Sequence, residues 1–351
     1  MHMSIQYGEM SSSVAAMEEP EEEQQQKDAT NTNTNIIPYS SRQKWCITEY
    51  LYSYNGFWFL LPYLEATLRL LHNTNNGTLN LHSHDVILAS FPKTGTTWLK
   101  ALLHTIIHRP QPHPHPPTLL TTTHPHNLVR SMETDLFLLD HHQDPTTQLI
   151  QGPGGTRIMA THLPHQIIGG ALTSSGCKVV YVTRNPKDAL ISLWHFVNKS
   201  PMFEVDPWDW DTAVDQFCEG SVPFGPYYDH VLKYREESIR RPDKVLFVTY
   251  EDLKEDTKKH VARIADFLGC PLEREGEAEE IVKLCSLETL RSLEVNQSKE
   301  IPYGGFPIPF DSFFRKGQVG DYKNYLTHTM VGKIDDLTRN MFYQRGFEYG
   351  I

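Results

Sequence analysis

The chain has 351 residues, 39% of them apolar, and a formal net charge of −11 from 32 Lys and Arg against 43 Asp and Glu. This length allows one large domain or two small ones, and the acidic balance argues against a nucleic-acid partner, which would want a basic face. Five scattered cysteines give no disulfide or zinc spacing, the N-terminus lacks a basic region followed by an apolar core, and Pro62 interrupts the longest apolar run, Phe57 to Leu64, so a cytoplasmic protein with no signal peptide and no membrane segment is expected. Residues 1–40 are polar and repetitive, and residues 1–35 hold seven acids against one base, Lys27. Such a segment buries too little apolar surface to order itself, so a disordered acidic tail is expected before a domain over 41–351. From Gln43 the chain turns aromatic, with Trp45, Tyr50, Tyr54, Phe57, Trp58 and Phe59 expected mostly in the core. Tyr63 to Leu71 reads as a helix.

Val86 to Phe91 is a nearly continuous apolar run, as expected for a strand buried on both faces. Pro92 to Thr97 is a turn carrying Lys93, Gly95 and the hydroxyls of Thr94, Thr96 and Thr97. Trp98 to Ile107 then repeats its apolar residues at helical spacing. Strand, loop and helix start together make an anion site: the first N–H groups of the helix lack internal partners, its dipole favours negative charge, and Gly95 allows close backbone approach. Lys93 precedes the only glycine, so the spacing is not that of the triphosphate-binding P-loop.

His108 to Asn127 holds five histidines and six prolines. Their irregular spacing, with no carboxylate or Cys beside them, is read as a surface loop rather than a metal site. Ile158 to Ala160 is a short strand ending at Thr161-His162, and ligands of open parallel sheets bind outside the carboxyl ends of strands. A histidine there suits either a polar loop or proton transfer. Lys178 to Arg184 is a third strand, with Pro186 and Asp188 suiting the first turn of the helix that follows. Phe203 to Tyr228 reads as a lid or long loop, Lys244 to Leu253 as a fourth strand, and Thr257 to Leu268 as an amphipathic helix stopped by Gly269. The strand–helix alternation predicts one α/β domain, a mainly parallel sheet with helices on both faces.

Four separated motifs resemble those of the cytosolic, plant-type sulfotransferases, which use 3′-phosphoadenosine 5′-phosphosulfate (PAPS). Phe91-Pro-Lys-Thr-Gly-Thr-Thr-Trp98 looks like the family's phosphosulfate loop, implying cofactor contacts from Lys93, Thr94, Gly95, Thr96, Thr97 and Trp98. Thr161-His-Leu-Pro164 is similar to the motif that holds the catalytic base, implying that role for His162 beside catalytic Lys93. Arg184 and Ser192 match the pair on the 3′-phosphate. Tyr250, in Tyr-Glu-Asp, matches an adenine contact, and Phe314-Arg315-Lys316-Gly317 resembles a second phosphate motif. Phe57, Trp58 and Phe196 would face the acceptor. Departures are Ala160, where many animal members place a Lys, Leu287 in place of an adenine-stacking Phe, Tyr322 in place of Trp, and Thr327-His328 with Gly332 in the animal dimer motif, which leaves a monomer as the expectation. The resemblance implies a small hydroxylated acceptor and no metal. A P-loop-type small-molecule kinase with Glu251 or Asp252 on magnesium, and an inactive nucleotide-binding module, are the alternatives.

Overall fold

The computed structural model describes residues 37–45, 50–75, 81–109, 118–138, 145–199, 207–297, 300–303 and 306–349. Residues 1–36 of the expected tail therefore lie outside the described residues. Tyr39–Ile351 forms one compact unit.

The aromatic start of this unit is a small antiparallel sheet of β1 (Ser41–Lys44), β2 (Tyr50–Tyr54) and β3 (Phe57–Leu60). Asn55 and Gly56 turn β2 into β3 with φ of 50° and 80°, the left-handed pair that a two-residue hairpin requires. Helix α1 (Leu61–Asn75) leads to β4 (Val86–Ser90), which is buried at every position. After it come α2 (Thr96–His108), the single turn α3 (Pro125–Leu128), β5 (Ile158–Thr161), α4 (His165–Ser175), β6 (Lys178–Thr183) and α5 (Pro186–Lys199). Then follow α6 (Trp210–Glu219), α7 (Tyr227–Arg240), β7 (Val245–Thr249), α8 (Tyr250–Glu255), α9 (Thr257–Leu268), α10 (Glu277–Leu284) and α11 (Leu287–Ser292). The hairpin β8 (Glu300–Tyr303)–β9 (Phe306–Pro309) and helix α12 (His328–Met341) complete the set.

The central sheet has the order β5-β4-β6-β7, with every pairing parallel. One face, from Leu88, Val180 and Val248, packs on Leu102 and Ile106 of α2 and Ile264 of α9. On the other face the Tyr181 ring stacks 4.2 Å from Tyr234 of α7. Helices thus cover both faces, as the buried strands demand. Parallel register has a direct consequence for the site. Ala89 pairs with Thr161 and Tyr181, and Thr183 with Thr249, so residues 91–98, His162, Arg184 and Tyr250 all leave the sheet at one edge.

Three expectations need correction. The stretch read as a lid contains α6, started by the Asp209 carboxylate on Thr212 N–H and stopped by left-handed Gly220; its Phe217 is buried beside Phe91. Residues 201–206 lie outside the described residues. The fourth strand ends at Thr249, whose hydroxyl accepts from Asp252 N–H and starts a helix at Tyr250. The His-Pro segment is not all surface loop: residues 110–117 are outside the described set, but His124 and His126 are buried and stacked among Phe310 and Phe313.

Candidate active site

The turn after β4 is held open by two left-handed residues, Lys93 at φ 68° and Gly95 at φ 116°. A side chain at 95 would put its Cβ 2.9 Å from Tyr250 Cδ2. The hydroxyl of Thr94 donates to the carbonyls of Phe91 at 2.7 Å and Val182 at 3.1 Å, so Thr94 braces the loop from behind and its side chain does not line the cavity. The first bond of α2 runs from Leu99 N–H to Gly95 O. The N–H groups of Thr96, Thr97 and Trp98 come before it and have no helical partner, and all three residues line the cavity.

That cavity, about 390 Å³, runs from the turn to the ends of β5, β6 and β7. Its lining includes the cations Lys93, Arg184, Lys199, Lys254, Arg315 and Lys316, and no Asp or Glu among the described residues. Lys93 Nζ lies 3.9 Å from the Phe196 ring centre and 5.2 Å from that of Phe313. Loss of water, and then the charges of Arg315, Lys199 and Arg184, push its ammonium down to about 7. Arg184 faces Asp188, and Arg315 and Lys316 face Asp321, but Lys93 has no ion pair among the described residues, and a buried cation so placed is what a bound anion relieves.

His162 is buried, with Nδ1 2.8 Å from the Ser90 carbonyl. A carbonyl only accepts, so the proton sits on Nδ1 and Nε2 keeps a free lone pair. Burial pushes His162 down to about 3, leaving a neutral imidazole at pH 7. Behind it, Glu133 accepts from His162 N–H at 2.7 Å and from the Thr161 hydroxyl at 2.8 Å, and His230 Nε2 donates to the His162 carbonyl at 2.9 Å.

The far end of the cavity joins the other expected residues. Arg184 lies 4.6 Å over the Tyr250 ring and donates to Gln318 O at 2.5 Å. Arg315 donates to Asp321 at 2.5 Å. The buried Nε of both arginines has no hydrogen-bond partner among the described residues, which leaves each a donor to spare. Asp188 accepts from Gly320 N–H at 2.6 Å and Tyr322 N–H at 2.9 Å, which ties the Arg315–Gly317 loop to α5. Trp98 and Tyr250 meet edge to face at 5.5 Å, while a Cβ on Gly317 would come within 2.7 Å of Leu287. Ser192 and Phe196 of α5 also line the cavity. Phe57 and Trp58 do not: β3 is pinned by Trp58 N–H to Gly225 O at 2.9 Å, and the wall there is Leu60, Tyr63 and Phe224.

Sequence reasoning missed Lys100, His126, Glu133, Asp188 and Asp321. Lys100 lies two residues past the loop on the apolar face of α2, and a charge in that phase was a readable signal. His126 was hidden in a proline-rich run. Glu251, given to magnesium in the kinase reading, accepts from Asn185 N–H at 3.0 Å and Asn185 Nδ2 at 2.9 Å and is buried.

Residues 83–346 match the sulfotransferase domain family. Cytosolic sulfotransferase 5 of Arabidopsis thaliana is 38% identical over 301 residues, covering 84% of this chain and 90% of that protein. Flavonol 4′-sulfotransferase of Flaveria chlorifolia is 38% identical over 291 residues, 82% of this chain and 86% of that protein. Mouse sulfotransferase SULT7A1, solved in complex with PAP, superposes with a TM-score of 0.63 at 26% identity, covering 83% of this chain and 93% of that one.

Proposed function

The chain belongs to the sulfotransferase family, and we propose that it moves the sulfuryl group of PAPS to a hydroxyl of a small, neutral, ring-bearing acceptor, with His162 as general base. The observation that carries this reading is the cavity lined by six cations and, among the described residues, by no Asp or Glu, with the neutral imidazole of His162 in its wall. The acceptor hydroxyl gives its proton to His162 Nε2, and its oxygen attacks sulfur in line. The sulfur–oxygen bond to the 5′-phosphate breaks, and 3′-phosphoadenosine 5′-phosphate (PAP) leaves with that electron pair. Lys93 and the N–H groups at the start of α2 meet the charge that grows on the bridging oxygen. The anionic phosphosulfate also offsets the Lys93 charge beside His162, which raises the proton affinity of the base.

Two phosphates on one nucleotide suit the two ends of the cavity. Lys93, Thr96, Thr97 and Trp98 would take the 5′ end, with Gly95 allowing the approach. Arg184, Ser192, Arg315, Lys316 and Gly317 would take the 3′-phosphate. Trp98, Tyr250 and Leu287 would enclose adenine, and Thr94 would act as a brace for the loop. On the acceptor side, Phe224 lies 5.5 Å from His162 and stacks on Tyr63 at 5.6 Å; with Phe196, Phe313, Leu60 and Ile308 they favour a flat apolar body over a charged one. The Arabidopsis relative is named cytosolic, which supports a cytoplasmic setting; no helix of the described residues is long and apolar enough to cross a membrane.

The test is turnover of radiolabelled PAPS with a panel of flavonols, steroids, hydroxyjasmonates, desulfoglucosinolates and simple phenols. Neutral phenolic and alicyclic hydroxyls should be sulfated in preference to charged acceptors. His162→Ala should lose about a hundredfold or more in rate with affinity for PAP nearly kept. Retention of more than about a tenth of turnover would remove His162 from the base role.

A further inference from the structure

Beneath the anion loop two buried side chains that the chemistry above does not use, Lys100 and His126, lead in a hydrogen-bonded chain to Thr97. Lys100 points inward from the first turns of α2 and is fully buried. Its Nζ lies 3.2 Å from His126 Nδ1 and donates to Ser131 Oγ at 2.9 Å. The other nitrogen of the same ring, His126 Nε2, lies 2.9 Å from Thr97 Oγ1. Thr97 and His126 both line the cavity, on the side of Lys93.

The direction of every proton in this chain follows from its buried end. Below about 7, where Lys100 holds its proton, it is an ammonium with only protons to give, so His126 Nδ1 accepts. A neutral imidazole that accepts at Nδ1 carries its proton on Nε2 and donates there. His126 is neutral, because burial and then the Lys100 charge hold it well below the ordinary histidine range. Thr97 Oγ1 must then accept, and its own proton has no protein acceptor among the described residues. We propose that Lys100, acting through the His126 tautomer, is a positioning residue that fixes the Thr97 hydroxyl as a donor aimed at the anionic 5′ end of the nucleotide. A threonine hydroxyl can otherwise turn a lone pair toward the anion as readily as a proton. Locking it leaves a preorganised donor, which costs no reorganisation when charge arrives. Ser131, the second acceptor on Lys100, bridges to Ala160 of β5, so the same ammonium also ties α2 to the strand that carries His162.

This inference rests on the proposed binding of the nucleotide 5′ end at the loop, and the experiment separates the two. Binding of PAP and of adenosine 3′-phosphate, which lacks the 5′ group, is measured by calorimetry. The proteins are the unaltered chain, Lys100→Met, His126→Leu, Thr97→Val and the two doubles that combine Thr97→Val with each of the others. The work is done at about pH 6, below the region near 7 where burial lets Lys100 lose its proton. Each single variant should bind PAP roughly tenfold more weakly and adenosine 3′-phosphate as before. Each double should be no weaker than its Thr97→Val parent, because the losses report one hydrogen bond. Losses that multiply to about a hundredfold in either double, or equal losses for the two nucleotides, overturn the proposal. Should Lys100→Met fail to fold, the His126→Leu cycle decides alone. Failure of the unaltered chain to bind PAP would overturn the nucleotide reading, and this inference with it.

Discussion

The Lys93 ammonium is held at a cost, since it is buried, makes no ion pair among the described residues, and is repelled by its neighbours Arg315, Lys199 and Arg184. An anion in the cavity favours the charged form and raises its pKa on binding. Affinity for PAP should therefore be full below about 7, where the empty site already holds the proton, and should fall as pH rises, by up to about tenfold per pH unit for one proton. Lys100 also sits near 7, so the informative quantity is the difference in slope between the unaltered chain and Lys93→Met. That variant should lose one proton's worth of slope and more in rate than in affinity, because the charge on the bridging oxygen grows only in the transition state. Identical slopes would mean that Lys93 does not carry the titration.

At the scale of elements, the unit that makes the site is β4, the turn and α2. The strand is buried throughout and apolar up to Ser90 because both its faces are covered, and the helix starts where Gly95 takes φ 116°. Gly95→Ala should weaken PAP binding by about tenfold or more, since an alanine there must adopt a strained backbone and push on Tyr250 at 2.9 Å. Calorimetry showing affinity within about twofold of the unaltered chain would mean that the loop relaxes without harm. This unit was legible in sequence because its apolar run, glycine and helix start lie next to one another. The hairpin at Asn55-Gly56 was equally legible by its turn pair, although the dense aromatics around it carry the stronger signal of core packing. Helix α6 was obscured by flanking Pro, Gly and Trp residues, whose local signals outweigh one Asp cap.

For the whole molecule, burial of neutral histidines sets a pH dependence. Burial holds His104, His124 and His162 at about 3 and His230 at about 4. Their folded values lie below the ordinary 6.5, so between the two the unfolded chain binds protons that the folded chain does not. The stability is present above 6.5 and is lost as pH falls, at about 1.4 kcal/mol per pH unit for each such proton. Melting temperature should drop by several degrees between pH 7 and pH 5, and less steeply in His104→Gln, whose ring lies on α2 away from the cavity. A flat profile would mean that these rings take up protons without cost. A chain lacking residues 1–35 should keep its turnover and its melting temperature, because that segment offers seven acids and little apolar surface. A loss of several degrees would place the domain boundary earlier.

The alternation of buried strands and helices, the Lys-Thr-Gly turn and the residues at the strand ends can be read from the residues alone. Those features arise from neighbours in the chain, where periodicity, a glycine and a helix start act together. Tertiary structure alone decided which of the 18 histidines are neutral and where their protons sit. Those depend on partners far away in sequence: Ser90 fixes the His162 tautomer from 72 residues away, and Asp188 secures the 320–322 turn from more than 130. The register of four parallel strands brings such distant groups to one edge, where burial and missing water turn ordinary side chains into a cationic cavity with a neutral imidazole in its wall.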